Sequence, residues 1–269
     1  MVSPLDVWTA FSAVRERGPL VHNITNYVAM DLSANALLAA GASPAMVHAQ
    51  DEAADFARIA DAVVINIGTL SPPWVEAMHD AAAVAAERGI PWILDPVGVG
   101  ATPYRTKTAA ALLDRSPTVV RGNASEILAL AGAAQGGKGV DSAHDASDAA
   151  DAARDLAVRT GGVVAVTGAA DLVTDGRTVV TVRGGHPMMS RITALGCAAS
   201  ALVGAFAAVE PDRLTATAAA LAVLGVAGER AATNSPGPGT LRLRILDELH
   251  SMDERAIQVG ARLGDGDTP

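Results

Sequence analysis

Short runs of uninterrupted aliphatic residues, among them Val63-Val64-Ile65 before Asn66 and Val163-Val164-Ala165-Val166, recur along this chain between stretches of helical composition. A strand that is apolar at every position must be covered on both faces, which is the situation of a parallel sheet lined with helices. Strands are expected over 20–24, 44–47, 62–66, 92–95, 118–120, 163–167, 171–174 and 178–182. Helices are expected over 5–17, 28–40, 51–60, 73–88, 106–116, 124–131, 147–159, 197–209, 213–233 and 241–252. Repeated strand–helix alternation implies right-handed crossovers, and hence an α/β fold with a mostly parallel central sheet and helices on both faces. The pair around Asp175-Gly176 differs, because that turn joins two neighbouring strands as a hairpin and makes an antiparallel edge. Half of the 269 residues are hydrophobic but only 3% are aromatic, so the core must come from many small aliphatic contacts and close helix–sheet packing. No repeat or linker divides the chain, so residues 1–263 read as one domain. The polar, glycine-rich end 264–269 reads as a disordered tail.

Several classes are disfavoured. A formal charge of −9 argues against nucleic-acid binding, which needs a basic face. A single cysteine removes any intrachain disulfide framework and any cysteine-rich metal site. The first residues lack the basic end and apolar core of a secretion signal, and no uninterrupted apolar run reaches the length of a membrane span. A soluble cytoplasmic protein is the expectation.

In open α/β sheets the ligand crevice lies beyond the carboxyl ends of the strands. The residues there form a consistent polar set: His22 to Asn26 after the first strand, and Asp95-Pro96-Val97-Gly98 after the fourth. Arg121-Gly122-Asn123 with Glu126 follows the fifth, and Thr167-Gly168 the sixth. Each also has a plain structural reading: Asp95 starts a turn, and Asn123-x-x-Glu126 caps the helix that follows. Arg121 is harder to dismiss, since an arginine aimed into a crevice favours a phosphate or carboxylate. The run Thr193-Ala194-Leu195-Gly196-Cys197 precedes an apolar helix, whose first turn offers unpaired N–H groups to an anion. The same field is expected to lower the Cys197 thiol pKa, unless Cys197 is only a small buried hydrophobe.

This set suits phosphoryl transfer, where a cation and a nest of dipoles do most of the work and a strong base is not essential. A Walker A motif is absent, since Gly136-Gly137-Lys138-Gly139 in the glycine-rich loop 135–141 does not satisfy it. No GxGxxG follows the first strand, which counts against a Rossmann dehydrogenase.

With these residues in place, the chain resembles hydroxyethylthiazole kinase, a thiamine-salvage family of the ribokinase-like superfamily. The resemblance is carried by LVHNITNYVAMDLSANALLAAGASPAM (20–46), NIGTL (66–70), ILDPVGVGATPYRT (93–106), VRGNASEILAL (120–130), AVTGAADLVTDG (165–176) and the 193–197 run. It implies ATP-dependent phosphorylation of the hydroxyl of 4-methyl-5-(2-hydroxyethyl)thiazole. It further implies a thiazole pocket lined by Asn26 and Met46, with Thr25 and Gly68 nearby, and ATP bound by Arg121, Thr167, Gly168 and Asn123. Asp95 and Glu126 would hold Mg²⁺, directly or through water. Ala194, Gly196 and Cys197 would form the anion hole, with Ala194 also against the substrate and Cys197 where most of the superfamily places a catalytic aspartate. The resemblance also implies a homotrimer with sites near subunit interfaces.

One departure stands out. The family pattern has glycine where this chain has Ala194, which would be strained by about 1 kcal/mol or more if the backbone there has positive φ. The family's frequent lysine before the Thr193 position is missing too, and Arg191 is the nearest cation. Competing readings on the same scaffold are a kinase for a pyrimidine or pyridoxal-type vitamin precursor, a nucleotide-dependent dehydratase, and a binder that has lost turnover.

Overall fold

The computed structural model describes residues 2–134 and 146–266. The glycine-rich loop 135–141 and the last three residues lie outside this range. In chain order the elements are α1 (Pro4–Arg17), β1 (Leu20–Ile24), α2 (Met30–Ala40), β2 (Ser43–Ala45), α3 (Gln50–Ile59), β3 (Ala62–Asn66), α4 (Pro72–Arg88), β4 (Trp92–Asp95), α5 (Pro103–Leu113), β5 (Val119–Asn123) and α6 (Ala124–Ala134). They continue with α7 (Ala146–Thr160), β6 (Val163–Thr167), β7 (Ala170–Thr174), β8 (Val179–Arg183), a 3₁₀ turn (Pro187–Arg191), α8 (Leu195–Val209), α9 (Arg213–Ala232), α10 (Pro238–Ser251), α11 (Glu254–Gly260) and β9 (Arg262–Asp265).

The strands form one sheet in the order β2-β1-β3-β4-β5-β6-β7-β8-β9. Pairings from β2 through β6 are parallel, and those from β6 to β9 are antiparallel. Because side chains alternate across a strand, Val63 and Ile65 face one apolar layer while Val64 faces the other. The first layer holds buried residues of α3 to α7, the second those of α1, α2 and α8 to α11. This is the expected two-faced α/β architecture.

Several sequence expectations change or sharpen. The hairpin β7–β8 is not the outermost pair, because β9 adds to β8 with Val180 opposite Asp265 and Arg183 opposite Arg262. Gly264 and Asp265, expected in a disordered tail, therefore belong to a strand; the unpaired edge of β8 supplies the partner that composition could not reveal. The helix expected from 106 begins at Pro103, where Thr102 accepts a hydrogen bond from the Arg105 N–H and proline occupies the first turn. Finally, α9 has the length and mean hydropathy (20 residues, 1.2) of a membrane span, although 78% of that window is buried inside the protein, as in a core helix.

Two features place the functional surface. The chain leaves β1 toward β2 on one side and returns to β3 on the other, so the loops after β1 and β3 diverge and open a crevice at their carboxyl ends. Helix α8 packs across β1, β3 and β4. A Cβ on Gly204 would lie 2.7 Å from a Val64 methyl, so glycine there lets α8 sit close to the sheet with its N-terminus at this crevice.

Candidate active site

Asn26, two residues past β1, is 7% exposed, and its side chain is held at both ends. Its Oδ1 accepts the Ala29 N–H at 3.0 Å, which turns Nδ2 toward Asn66 Oδ1 (2.9 Å) and Cys197 Sγ (3.3 Å). Gly68 packs against it: an added Cβ would come within 2.6 Å of Asn26 Nδ2, so no side chain fits there. Thr25 is buried beside them. Met46 follows β2 and is half-buried against the helical core one strand further out.

Asp95 ends β4 and is wholly buried. Its Oδ2 accepts from Asn66 Nδ2 at 2.7 Å and from Ser200 Oγ at 2.9 Å, while Oδ1 has no hydrogen-bond partner among the described residues. Burial pushes its carboxyl up to about 6, against the opposing pull of Arg121 and Ser200.

Arg121 of β5 donates from Nη2 to Thr167 Oγ1 at 2.6 Å, and Thr167 in turn donates to the Gly122 carbonyl at 3.2 Å. A Cβ on Gly196 would meet Arg121 Nη1 at 2.8 Å, so the guanidinium lies flat against the first turn of α8. A fixed cation beside helix N–H groups is chemically suited to an anion. The two open into a cavity of about 670 Å³ lined by Arg121, Thr167, Gly168, Asp171, Met189 and Gly196, among others. Gly168, in the short link between β6 and β7, gives its N–H to Asp171 Oδ1 at 2.9 Å.

The expected residues thus fall into two adjoining groups. Arg121, Thr167, Gly168 and Gly196 share the cavity; Asn26, Gly68, Cys197 and Asp95 gather around Asn66. Asn123 and Glu126 show the capping arrangement: Asn123 Oδ1 accepts the Glu126 N–H at 2.9 Å, and Glu126 Oε2 accepts the Asn123 N–H at 2.9 Å. Glu126 Oε1 also takes the Gly98 N–H at 3.0 Å, which fixes the loop after Asp95. Neither Asn123 nor Met46 lines the cavity.

The expectation for Cys197 reverses. Its thiol is pushed up to about 11, chiefly by burial and then by the Asp95 charge, which together outweigh Asn26 and Arg121. At neutral pH it is a protonated thiol. Ala194 caps α8 at φ +64°, ψ +4°, so the strained alternative is the one realised.

Four residues escaped the sequence reading. Asn66 ends an all-apolar strand with a polar group, the same signal that singled out Asp95. Asp171 is the second residue of β7. Arg105 ties two loops together, donating to the carbonyls of Ile67 (2.6 Å), Val97 (2.9 Å) and Gly68 (2.8 Å). Ser200 sits in an alanine-rich helix and gave no signal.

A divalent cation can be tested against these groups. Among the described residues no three histidine, cysteine or carboxylate side chains cluster as a metal cage. Mg²⁺ in phosphoryl-transfer sites takes few protein ligands and keeps waters and phosphate oxygens. The unpartnered Asp95 Oδ1 fits that mode, and Glu126, near enough to raise the Asp95 carboxyl, supplies a second negative charge.

The chain is similar to known proteins over nearly its whole length. The sequence pattern of the hydroxyethylthiazole kinase family matches residues 11–255. A hydroxyethylthiazole kinase of Syntrophus aciditrophicus is 53% identical over 99% of both chains. One from Cereibacter sphaeroides is 56% identical over 95% of this chain and 97% of its own. The structure of the Pyrococcus horikoshii hydroxyethylthiazole kinase superposes with a TM-score of 0.90 at 43% identity, covering 97% of this chain and 99% of that one. A Bacillus subtilis pyridoxal kinase, at 18% identity and a TM-score of 0.60, covers 77% of this chain and 90% of its own and shares the fold, which is ribokinase-like. The chain belongs to the hydroxyethylthiazole kinase family.

Proposed function

We propose that this enzyme transfers the γ-phosphoryl group of ATP to the hydroxyl of 4-methyl-5-(2-hydroxyethyl)thiazole, as a cytoplasmic step of thiamine salvage. The observation that carries the reading is the division of labour between two consecutive residues. Gly196 lines the cavity with Arg121, while Cys197 accepts a hydrogen bond from Asn26 on the other side. The turn between them is where a phosphate and an alcohol would meet.

ATP occupies the cavity, with its phosphates against Arg121, Thr167 and the first turn of α8. Asn26 and Gly68 border the thiazole, and Met46 closes its far side with a polarisable thioether suited to a sulfur heterocycle. The substrate oxygen attacks the γ-phosphorus; a new O–P bond forms as the bond to the β-phosphate oxygen breaks, and ADP leaves. Because the Cys197 thiol is protonated, it orients the hydroxyl, and the hydroxyl proton passes to a phosphate oxygen. Such loose transition states depend on positioning and charge, so a thiol in place of a carboxylate still supports turnover. Asp95, with Glu126 behind it, would hold Mg²⁺ through water, and the ion would neutralise charge on the β- and γ-phosphates. The trimer expected of the family is supported by Tyr27 (65% exposed) and Val28 (62% exposed), which follow Asn26 directly and leave apolar surface beside the acceptor site.

The test is ADP release, coupled to a spectrophotometric readout, with the thiazole alcohol, Mg²⁺ and ATP. Turnover is expected in the wild type and lost in Arg121→Ala. Equal rates in the two enzymes, or preference for hydroxymethylpyrimidine in competition, overturn the assignment.

A further inference from the structure

We infer that Asn66 is the positioning residue of this site, the carboxamide that sets the acceptor-side donor Asn26 and the carboxylate Asp95 relative to one another. The inference rests on the functional reading above and adds to it a residue that does not line the ATP cavity and stands behind the thiazole wall, holding Asn26 and Gly68 from within. Asn66 ends β3 in register with Asp95 on β4, so the two side chains leave the sheet on the same face, and Asn66 is 1% exposed.

The orientation of its amide is determined by its neighbours. Oδ1 accepts from Asn26 Nδ2 (2.9 Å) and from the Gly68 N–H (2.9 Å), and Nδ2 donates to Asp95 Oδ2 (2.7 Å). Turning the amide over would set an NH₂ against two donors and an oxygen against a carboxylate, so all three contacts would become repulsive. Both lone pairs of Oδ1 are used, and no other uncharged side chain of this length accepts twice and donates once in this geometry.

The contacts close a ring. Asn26 donates to Cys197 and to Asn66, Asn66 donates to Asp95, and Asp95 accepts from Ser200. Ser200 lies one turn beyond Cys197 on α8, so the helix that presents the anion hole returns to the network through its own side chain. Displacing any one member moves the others, and Asn66 is the member through which the Asn26 and Asp95 halves communicate. Its effect on the reaction passes through Asn26, Cys197 and Asp95, which distinguishes positioning from catalysis.

Two variants test this. Asn66→Ser removes both halves of the link. It should lower kcat by about 100-fold, the cost of roughly an ångström of misplacement, and raise the thiazole KM, while the ATP KM stays within about threefold. Asn66→Asp keeps an oxygen for Asn26 and Gly68 but sets a carboxylate against Asp95 Oδ2 in place of the donor; assayed at about pH 9, where the two carboxyls do not share a proton, it should keep the thiazole KM near wild type and still lose kcat. Because Cys197 is the only cysteine, its reaction with 5,5′-dithiobis(2-nitrobenzoate) reads that thiol alone. Asn66→Ser should accelerate it by about tenfold, and Asn66→Asp should leave it nearly unchanged. Thermal melts establish that each variant is folded, and Asn66→Asp, nearly isosteric, stands if Asn66→Ser does not fold. The inference is overturned by wild-type kcat in either variant, by parallel rises of both KM values with falling kcat, or by an unchanged thiol rate in folded Asn66→Ser. Wild-type turnover of the thiazole is measured alongside, so that failure of the substrate assignment is seen separately from failure of the Asn66 role.

Discussion

Replacing Gly196 by alanine sets stability and activity against each other, and the structure fixes both signs. Gly196 is the second residue of α8 and is not among the glycines with positive φ, so alanine is compatible with its backbone. Alanine is a better helix former than glycine by as much as about 1 kcal/mol in a helix interior, and by less in a first turn. The folded protein should therefore hold or gain stability. The new methyl group, however, would sit 2.8 Å from Arg121 Nη1 and 3.2 Å from Nη2, closer than such contacts allow. The guanidinium is the free end of a flexible side chain, so it yields by pivoting about Thr167 Oγ1, which Nη2 holds at 2.6 Å, and swings away from the first turn where a phosphate would sit. Losing one charged hydrogen bond to a phosphate costs about 1.5–3 kcal/mol, or roughly 10- to 150-fold in kcat/KM for ATP. Steady-state kinetics with varied ATP, beside a calorimetric melt, should show this loss with an unchanged or higher Tm. Wild-type kinetics, or activity and Tm falling together, would refute the placement of Arg121 against the helix.

Three further predictions follow from the same structure. Ala194→Gly should raise stability by about 0.5 kcal/mol, the relief of about 1–2 kcal/mol of left-handed strain less the entropy glycine gains in the unfolded chain; Ser116→Gly, at φ +55° in the turn between α5 and β5, should shift Tm the same way, and a fall in both would remove the strain argument. The Asp95 carboxyl is near 6 in the folded protein against an ordinary 3.8. Between those pH values the folded chain keeps a proton that the unfolded chain releases, so this residue's contribution to stability falls as pH rises from about 4 to 6 and then levels off. Urea midpoints across that range should show the slope reduced in Asp95→Asn; an identical slope in both proteins would refute it. Cys197→Ala should lower kcat by about 5- to 10-fold, the worth of one hydrogen bond, with a smaller change in thiazole affinity by calorimetry. Equal losses in rate and affinity would make the thiol merely structural.

Much of the site is legible in the sequence because strand ends in parallel sheets are marked twice, by an all-apolar run and by the polar residue that stops it. That rule finds Asp95, Arg121 and Thr167, and applied evenly it also finds Asn66. Residues whose role is to hold other groups left no such mark. Arg105 acts on three backbone carbonyls, and Ser200 matters only because α8 rotates it toward Asp95. Asn123 and Glu126 illustrate the opposite case: the Asn-x-x-Glu spacing reads equally as cap or ligand, and the structure displays the cap.

The sequence by itself determined the α/β alternation, the order of the parallel strands' elements and the rim on which the chemistry would lie, because hydrophobic period and turn residues are local properties. It also determined that position 194 carries alanine, but not whether that matters. Tertiary structure decided that φ there is +64°, that β9 joins the sheet edge, and that α9 is a core helix despite its membrane-like composition. It also decided the protonation of Cys197. The sequence places the thiol at a helix start, where a local field favours the thiolate; only packing reveals that burial and a neighbouring carboxylate act against it more strongly. Desolvation and through-space charge depend on what surrounds a group in three dimensions, and no spacing along the chain encodes them.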